Sequence, residues 1–268
     1  MPGTLPQHNA MSITQVEYQI FSRLREAGIF PARPSVLELG ESNWYGDMPK
    51  EWLSDCIETM VSDAQLREQL HQRMIEALGA DAAFGNWDLA KIFYKVFLDY
   101  SKITAIDFHG TPAALRLDLN TPVDLGEQFD VLLNLGTAEH VFNIWEFFRT
   151  SHRVTKPGGI MVHEMPFLGW LEHGFYSFNP TFYWDLAIAN RYTLLVLAYT
   201  EISPPKVVQL LRREQIVEMA QAGALGRNAN LYAVMKKADT ESEFRAPAQG
   251  IYADAVSQDM VKAWVELR

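Results

Sequence analysis

Ser35-Val-Leu-Glu-Leu-Gly40-Glu41-Ser-Asn43 is the stretch on which the reading of this chain turns. A short apolar run that closes on a glycine is the pattern of a buried strand meeting a tight turn, because strands covered on both faces read as continuous hydrophobic runs. Upstream, Val16, Ile20, Phe21 and Leu24 fall at helical spacing, Gly28 is a stop signal, and Pro31 and Pro34 break the chain before the strand. Residues 1–12 are polar with Pro and Gly, which predicts a mobile tail. Downstream, residues 41–100 separate the strand from the next strand-like run, far more than a simple crossover needs. Helical patterns over 52–60, 64–78 and 89–100, with breaks at Gly79 and Gly85-Asn86, predict a helical insertion at about 48–100.

Beyond the insertion, strand and helix signals alternate. Strands are predicted at 102–107, 114–117, 129–134, 160–164, 192–199 and 230–236, and helices at about 144–154, 206–222 and 253–267. That alternation predicts an α/β fold with a mostly parallel sheet covered by helices on both faces. The expected organisation is a core domain over 13–237 and an extension over 238–268 that packs on it.

The totals narrow the function. The 268 residues are 48% hydrophobic and 21% charged, ordinary globular composition that excludes wholesale disorder. A formal charge of −10 with no Lys/Arg run argues against a nucleic-acid partner. Cys56 is the single cysteine, so neither an intramolecular disulfide nor a cysteine-held metal cluster can form. The first residues lack the basic-then-apolar pattern of a secretory signal, and no apolar run is long enough for a membrane span, so the expected location is cytoplasmic with no membrane partner.

In open α/β sheets, ligands gather beyond the carboxyl ends of the strands. The residues found there are Glu38 and Gly40, then Asp107, then Asp118-Leu-Asn120, then Asn134-Leu-Gly-Thr-Ala-Glu-His140. A carboxylate after the second strand can accept from both hydroxyls of a ribose diol, and a glycine lets backbone approach a ligand closely. Asp107 is equally able to cap a turn, and Asp118-Leu-Asn120 before Thr121-Pro122 reads as turn chemistry as readily as an adenine contact.

Taken in order, Val36-Leu-Glu-Leu-Gly40, Ile106-Asp107, Leu117-Asp-Leu-Asn120, Phe129-Asp-Val-Leu-Leu-Asn134, Glu139-His-Val141 and Lys156-Pro-Gly-Gly159 resemble the class I S-adenosylmethionine-dependent methyltransferases. The resemblance covers about 35–164. It implies a Rossmann-like sheet with its last strand antiparallel, and S-adenosylmethionine as cofactor. Glu38 and Gly40 would lie in the first cofactor motif, Asp107 would hold the ribose, Asp118 and Leu119 would flank the adenine, and Asn134 would lie beneath the methionine portion. One feature departs from the family: its first loop is glycine-rich, whereas here it reads Gly40-Glu-Ser-Asn-Trp-Tyr-Gly46.

Residues 161–180 are dense in histidine and aromatic side chains and start at a strand's carboxyl end. They resemble a His-Gly-Phe-Tyr-x-Phe-x-Pro segment of some bacterial small-molecule methyltransferases, and loops of this makeup usually carry function. Trp170, Phe175, Tyr176 and Asn179 are the expected substrate wall, with Trp44 and Tyr45 either closing from the first loop or packing the inserted helices. Phe182, Tyr183 and Trp184 fit better as core of a helix over 181–189. His163, Glu164 and His173 include suitable metal ligands but lack a tight spacing, so no metal is expected.

The expected chemistry is in-line transfer of an activated methyl to a small-molecule acceptor, accelerated by alignment and exclusion of water. An oxygen acceptor needs a base, for which His173 and His140 rank ahead of His163 and Glu164. The rivals are a fold that has lost its cofactor and acts as a scaffold, a protein-modifying methyltransferase, and a nucleotide-sugar or nicotinamide enzyme. The last lacks its Gly-x-Gly-x-x-Gly turn and its Tyr-x-x-x-Lys pair.

Overall fold

In the computed structural model, residues 13–44, 47–80, 82–253 and 256–266 are described, with side chains of 82–84 left aside. The expected tail over 1–12, and Tyr45, lie outside the described residues. Contacts divide the chain into two compact units, one within Met1–Ile29 and Ser42–Asp99, the other Phe30–Glu41 with Tyr100–Arg268.

The first unit is helical. α1 (Gln15–Glu26) starts at a capping box: the Thr14 hydroxyl accepts from the Val16 amide, and Glu17 accepts from the Thr14 amide at 2.9 Å. α2 (Lys50–Met60), α3 (Ala64–Gly79) and α4 (Ala82–Leu98) follow. Phe21, Phe93 and Phe97 form its aromatic core, with the Phe93 and Phe97 rings 4.4 Å apart. Gly85, expected as a break, instead lies inside α4. A Cβ there would stand 2.0 Å from the Ala77 carbonyl oxygen, so the glycine serves the close approach of α3 rather than a turn.

The second unit holds a seven-stranded sheet in the order β2-β1-β3-β4-β7-β5-β6. The strands are β1 (Ser35–Leu39), β2 (Lys102–Ile106), β3 (Phe129–Leu135), β4 (Thr155–Leu168), β5 (Thr193–Glu201), β6 (Lys206–Gln209) and β7 (Ala229–Lys236). β2, β1, β3 and β4 pair in parallel, with Val36 opposite Ile103 and Val131, and Leu133 opposite Val162. β7 is antiparallel to both neighbours, β4 and β5, as the resemblance implied. Val36, Leu37, Leu132, Val162 and Val234 are fully buried. Each such side chain contributes roughly 1.5–3 kcal/mol relative to exposure.

Two predicted elements need correction. Residues 114–117 are not a strand of the sheet; they make a single bridge, Leu115 to Ile106, with the Leu115 amide donating to the Ala105 carbonyl. Residues 206–222 are not one helix. Lys206-Val-Val-Gln209 pairs antiparallel with β5, and α7 (Gln215–Gln221) begins only later, because adjacent β-branched valines suit a pleated edge better than a helical turn.

α5 (Ile144–Val154) links β3 to β4, and α6 (Pro180–Asn190) precedes β5. Residues 242–250 are stitched to these helices, and α8 (Gln258–Glu266) follows. The Ser242 carbonyl lies 2.6 Å from His152 Nε2, the Arg245 amide donates to Asn190 Oδ1, and the Gly250 amide donates to Asp185 Oδ2. Among the described residues no helix is long and apolar enough to cross a membrane.

Candidate active site at the strand ends

The carboxyl ends of β1, β2, β3 and β4 supply four loops to one edge of the sheet. After β1, Gly40 takes φ +84°, and its amide donates to the Ile106 carbonyl at 2.8 Å. A Cβ there would meet Thr137 Oγ1 at 1.8 Å, so both the backbone twist and the neighbouring β3 loop demand glycine. Glu38, two residues earlier, is fully buried. After β2, half-buried Asp107 accepts the Glu41 amide at 2.9 Å on Oδ2 and the His109 amide at 2.6 Å on Oδ1. Each carboxylate oxygen keeps a lone pair for a further donor, so the group fits a ribose diol.

Asp118 is exposed, and Asn120 donates to its Oδ1 from both backbone and side chain. Those bonds hold its carboxyl below the usual range. Asn120 in turn receives the amide and side chain of Asn143, the N-cap of α5. The segment therefore acts as a turn that anchors a helix start, with Leu119 buried beneath it.

Asn134, at the end of β3, is wholly buried. Its Oδ1 accepts the amides of Thr137 and Ala138, and its side-chain nitrogen lies 3.2 Å from His163 Nδ1. It thus shapes the single 3₁₀ turn Ala138–His140 that carries the next two residues. His163 itself sits inside β4 with no exposure, and burial pushes its imidazole down to about 3. Burial thus favours the neutral imidazole in the folded protein. Glu164 is likewise buried and accepts from Asn230.

The other two histidines converge. Glu139, 0% exposed, places Oε1 3.5 Å from His173 Nε2 and 3.8 Å from His140 Nε2. The imidazole centroids are 4.9 Å apart, and the Trp170 ring lies 5.1 Å from that of His173. The Phe175 amide donates to the Glu139 carbonyl at 2.8 Å, and a Cβ on Gly174 would stand 2.9 Å from the same oxygen, so the two loops are zipped together. Burial holds His140 below its ordinary value; Glu139 opposes that shift and His173 adds to it. Tyr183 is raised well above the ordinary phenol value, chiefly by burial, with Glu139 and Glu164 adding. Expected as core, it is a buried neighbour of both carboxylates.

Phe142 and Phe175 are 70% and 64% exposed, with rings 5.7 Å apart, and the Tyr176 hydroxyl donates to the Phe142 carbonyl. They form an apolar rim at this edge. Trp170 donates from its ring nitrogen to the Ala229 carbonyl and takes φ +52°. Asn179 lines a cavity of about 350 Å³ among Trp184, Arg213 and Trp264, and Trp44 is buried in the helical unit with its ring 6.5 Å from that of Phe93. Packing among the inserted helices is one of the two roles the sequence allows Trp44, and its large apolar ring gains from that core. Sequence reasoning paired Glu139 with His140 only as a helix N-terminal arrangement and missed His173 as their common partner. The signal was present, an acid directly beside a histidine at a strand-end turn, but its total burial was not.

Residues 88–163 match the family model described as a methyltransferase domain. Ubiquinone biosynthesis O-methyltransferase of Ruegeria pomeroyi is 35% identical over 100 residues, which are 36% of this chain and 35% of that protein. Its counterpart in Mesorhizobium japonicum is 36% identical over 89 residues, 32% of this chain and 30% of that protein. The chain thus spans about a third of the length of the curated relatives it matches. A solved S-adenosylmethionine-dependent methyltransferase of Thiobacillus denitrificans, in complex with S-adenosyl-L-homocysteine, aligns at 16% identity over 82% of this chain and 91% of that one, with a TM-score of 0.38. Over residues 88–163 the chain is thus similar to a methyltransferase domain.

Proposed function

We propose that the protein uses S-adenosylmethionine to methylate a small, apolar acceptor, with an aromatic hydroxyl as the favoured group. The observation that carries this reading is the buried Glu139 with His140 and His173 at the ends of β3 and β4, beside a segment that matches a methyltransferase domain. When bound, the cofactor supplies an activated methyl group. In this reading Asp107 receives the ribose hydroxyls, and Gly40 admits the cofactor tail beside the buried Glu38. Asp118 and Leu119 flank the adenine, and Asn134 holds the loop beneath the methionine portion. Phe175, Phe142, Tyr176 and Trp170 face the acceptor, and His173 or His140 takes its proton, with Glu139 positioning the imidazoles. The curated relatives are named for an O-methylation, which favours oxygen as the receiving atom. The net charge of −10 fits a small acceptor better than a nucleic acid, and a cytoplasmic location belongs to the same reading. The residues of this role fall in a core domain over 13–237, with the insertion at 48–100 and the extension at 238–268 as accessory parts.

Calorimetric titration with S-adenosylmethionine and S-adenosylhomocysteine tests the proposal. Saturable one-to-one binding, weakened by Asp107→Ala, is expected, followed by methyl transfer to a panel of small phenols. Absence of binding in the wild type and in the presence of that panel would leave a non-catalytic binding fold as the better reading.

A further inference from the structure

We infer that Glu139, His140 and His173 form a binding site for a divalent first-row cation of the zinc class. Among the described residues, one ligand atom from each lies within 4.8 Å of the others. The two measured separations, 3.5 and 3.8 Å from Glu139 Oε1 to the imidazole nitrogens, are too long for hydrogen bonds. They are close to the spacing of ligand atoms around one ion: metal bonds of about 2.0–2.1 Å at a tetrahedral angle put neighbouring donors roughly 3.3–3.4 Å apart.

The carboxylate supplies an independent observation. Glu139 is fully buried, and neither of its oxygens has a hydrogen-bond partner; the same is true of His173 Nε2. Among the described residues its ion pairs run only to the two imidazoles. A buried carboxylate with no donor and no fixed cation is among the most unfavourable arrangements in a protein interior. A bound cation satisfies both carboxylate and imidazole at once, and the loops are already zipped at Phe175 and Gly174 to hold the three ligands together.

The donor set selects the ion. Two imidazoles and one carboxylate suit Zn²⁺, Fe²⁺ or Mn²⁺, whereas Ca²⁺ and Mg²⁺ prefer oxygen alone. Three protein ligands leave positions open, and half-exposed His140 marks the side from which an exogenous oxygen can enter. If the proposed methyl transfer is correct, an acceptor hydroxyl bound there would ionise more readily, and the two histidines would serve as ligands rather than as the base. That consequence rests on the proposed function; the cation site does not. The expectation of no metal weighed His163, Glu164 and His173, the first two of which the fold buries within β4, and did not include Glu139.

The test uses the full chain stripped with a chelator and titrated with ZnCl₂ alone, followed by visible spectroscopy with CoCl₂. One-to-one Zn²⁺ binding is expected, with intense ligand-field bands from low-symmetry Co²⁺. Glu139→Gln and His173→Ala should each weaken Zn²⁺ at least tenfold and abolish the bands. His71→Ala, whose imidazole pairs with Glu58 in the helical unit, should leave both unchanged. Circular dichroism confirms that each variant is folded. No saturable Zn²⁺ binding by the wild type, or binding indifferent to both substitutions, overturns the inference. S-adenosylhomocysteine titration of the same samples reports separately on the methyltransferase reading, so failure of one is distinguishable from failure of the other.

Discussion

Asp107 and Glu139 stand at the ends of neighbouring parts of one sheet, and their surroundings are opposite. Asp107 is half-buried and takes a backbone amide on each oxygen; Glu139 is wholly buried and takes none. The first carboxylate is satisfied by the loops it organises, so its charge belongs to the fold even before a ligand arrives. The second is left at a cost the fold does not offset, which is what the proposed cation site would explain. The comparison turns hydrogen-bond accounting into a functional criterion that proximity alone does not provide.

Glu139→Gln should break the comparison most visibly. Removing the charge while keeping the shape is expected to lower kcat/KM by roughly 100-fold or more, through loss of a ligand or positioning group. In the chelator-treated protein the same change should raise stability, by about 1–3 kcal/mol, because an uncompensated charge is gone. Steady-state kinetics and urea unfolding read the two effects. A variant that is less stable and equally active would show that the carboxylate is structural after all.

Asp107→Ala should give the contrary pairing. It leaves the Glu41 and His109 amides without their acceptor, so stability should fall by about 1–2 kcal/mol, discounted for the group's partial exposure. Affinity for S-adenosylhomocysteine should fall 10- to 100-fold in calorimetry, as two charge-assisted hydrogen bonds are lost. An unaltered affinity would confine Asp107 to loop architecture.

The sequence carried part of this contrast. Continuous apolar runs over 35–39 and 129–134 and the Gly40 turn were legible, because two-sided burial and positive φ leave direct marks on composition. The edge strand β6 was not, since its four residues are too short to show a period and merge into the following polar stretch. Asp118 was legible only as an alternative: the same Asp-x-Asn spelling serves a turn or a ligand, and the choice depends on Asn143, which is distant in sequence. Glu139 beside His140 could be read, but its total burial and the arrival of His173 from another loop are products of tertiary packing.

His163 supplies a third case, a buried polar group that avoids charge altogether. Its folded value of about 3 lies below the ordinary 6.5, so its contribution to stability is complete above pH 6.5. That contribution drains away as pH falls towards 3, because the unfolded chain takes up a proton that the folded one refuses. Between pH 6.5 and 5, wild type should lose up to about 2 kcal/mol more than His163→Gln, measured by urea midpoints at each pH. Parallel curves for the two proteins would mean that the imidazole is hydrated in β4.

Asp118→Ala should produce the smallest change and sharpen the comparison from its satisfied end. The side chain is exposed, and what it loses is a local bond from Asn120, so stability should shift by about 0.5 kcal/mol or less. If its remaining oxygen faces the adenine amine, S-adenosylhomocysteine affinity should fall about two- to tenfold, the value of a single solvent-accessible hydrogen bond. Asn143→Ala separates the two roles, because it removes the bonds to Asn120 while leaving Asp118 in place. An affinity loss in Asp118→Ala that Asn143→Ala does not share assigns the carboxylate to the cofactor. Equal losses in both variants assign it to the turn, and would leave Asp107 as the one strand-end carboxylate on the proposed cofactor side that touches the ligand.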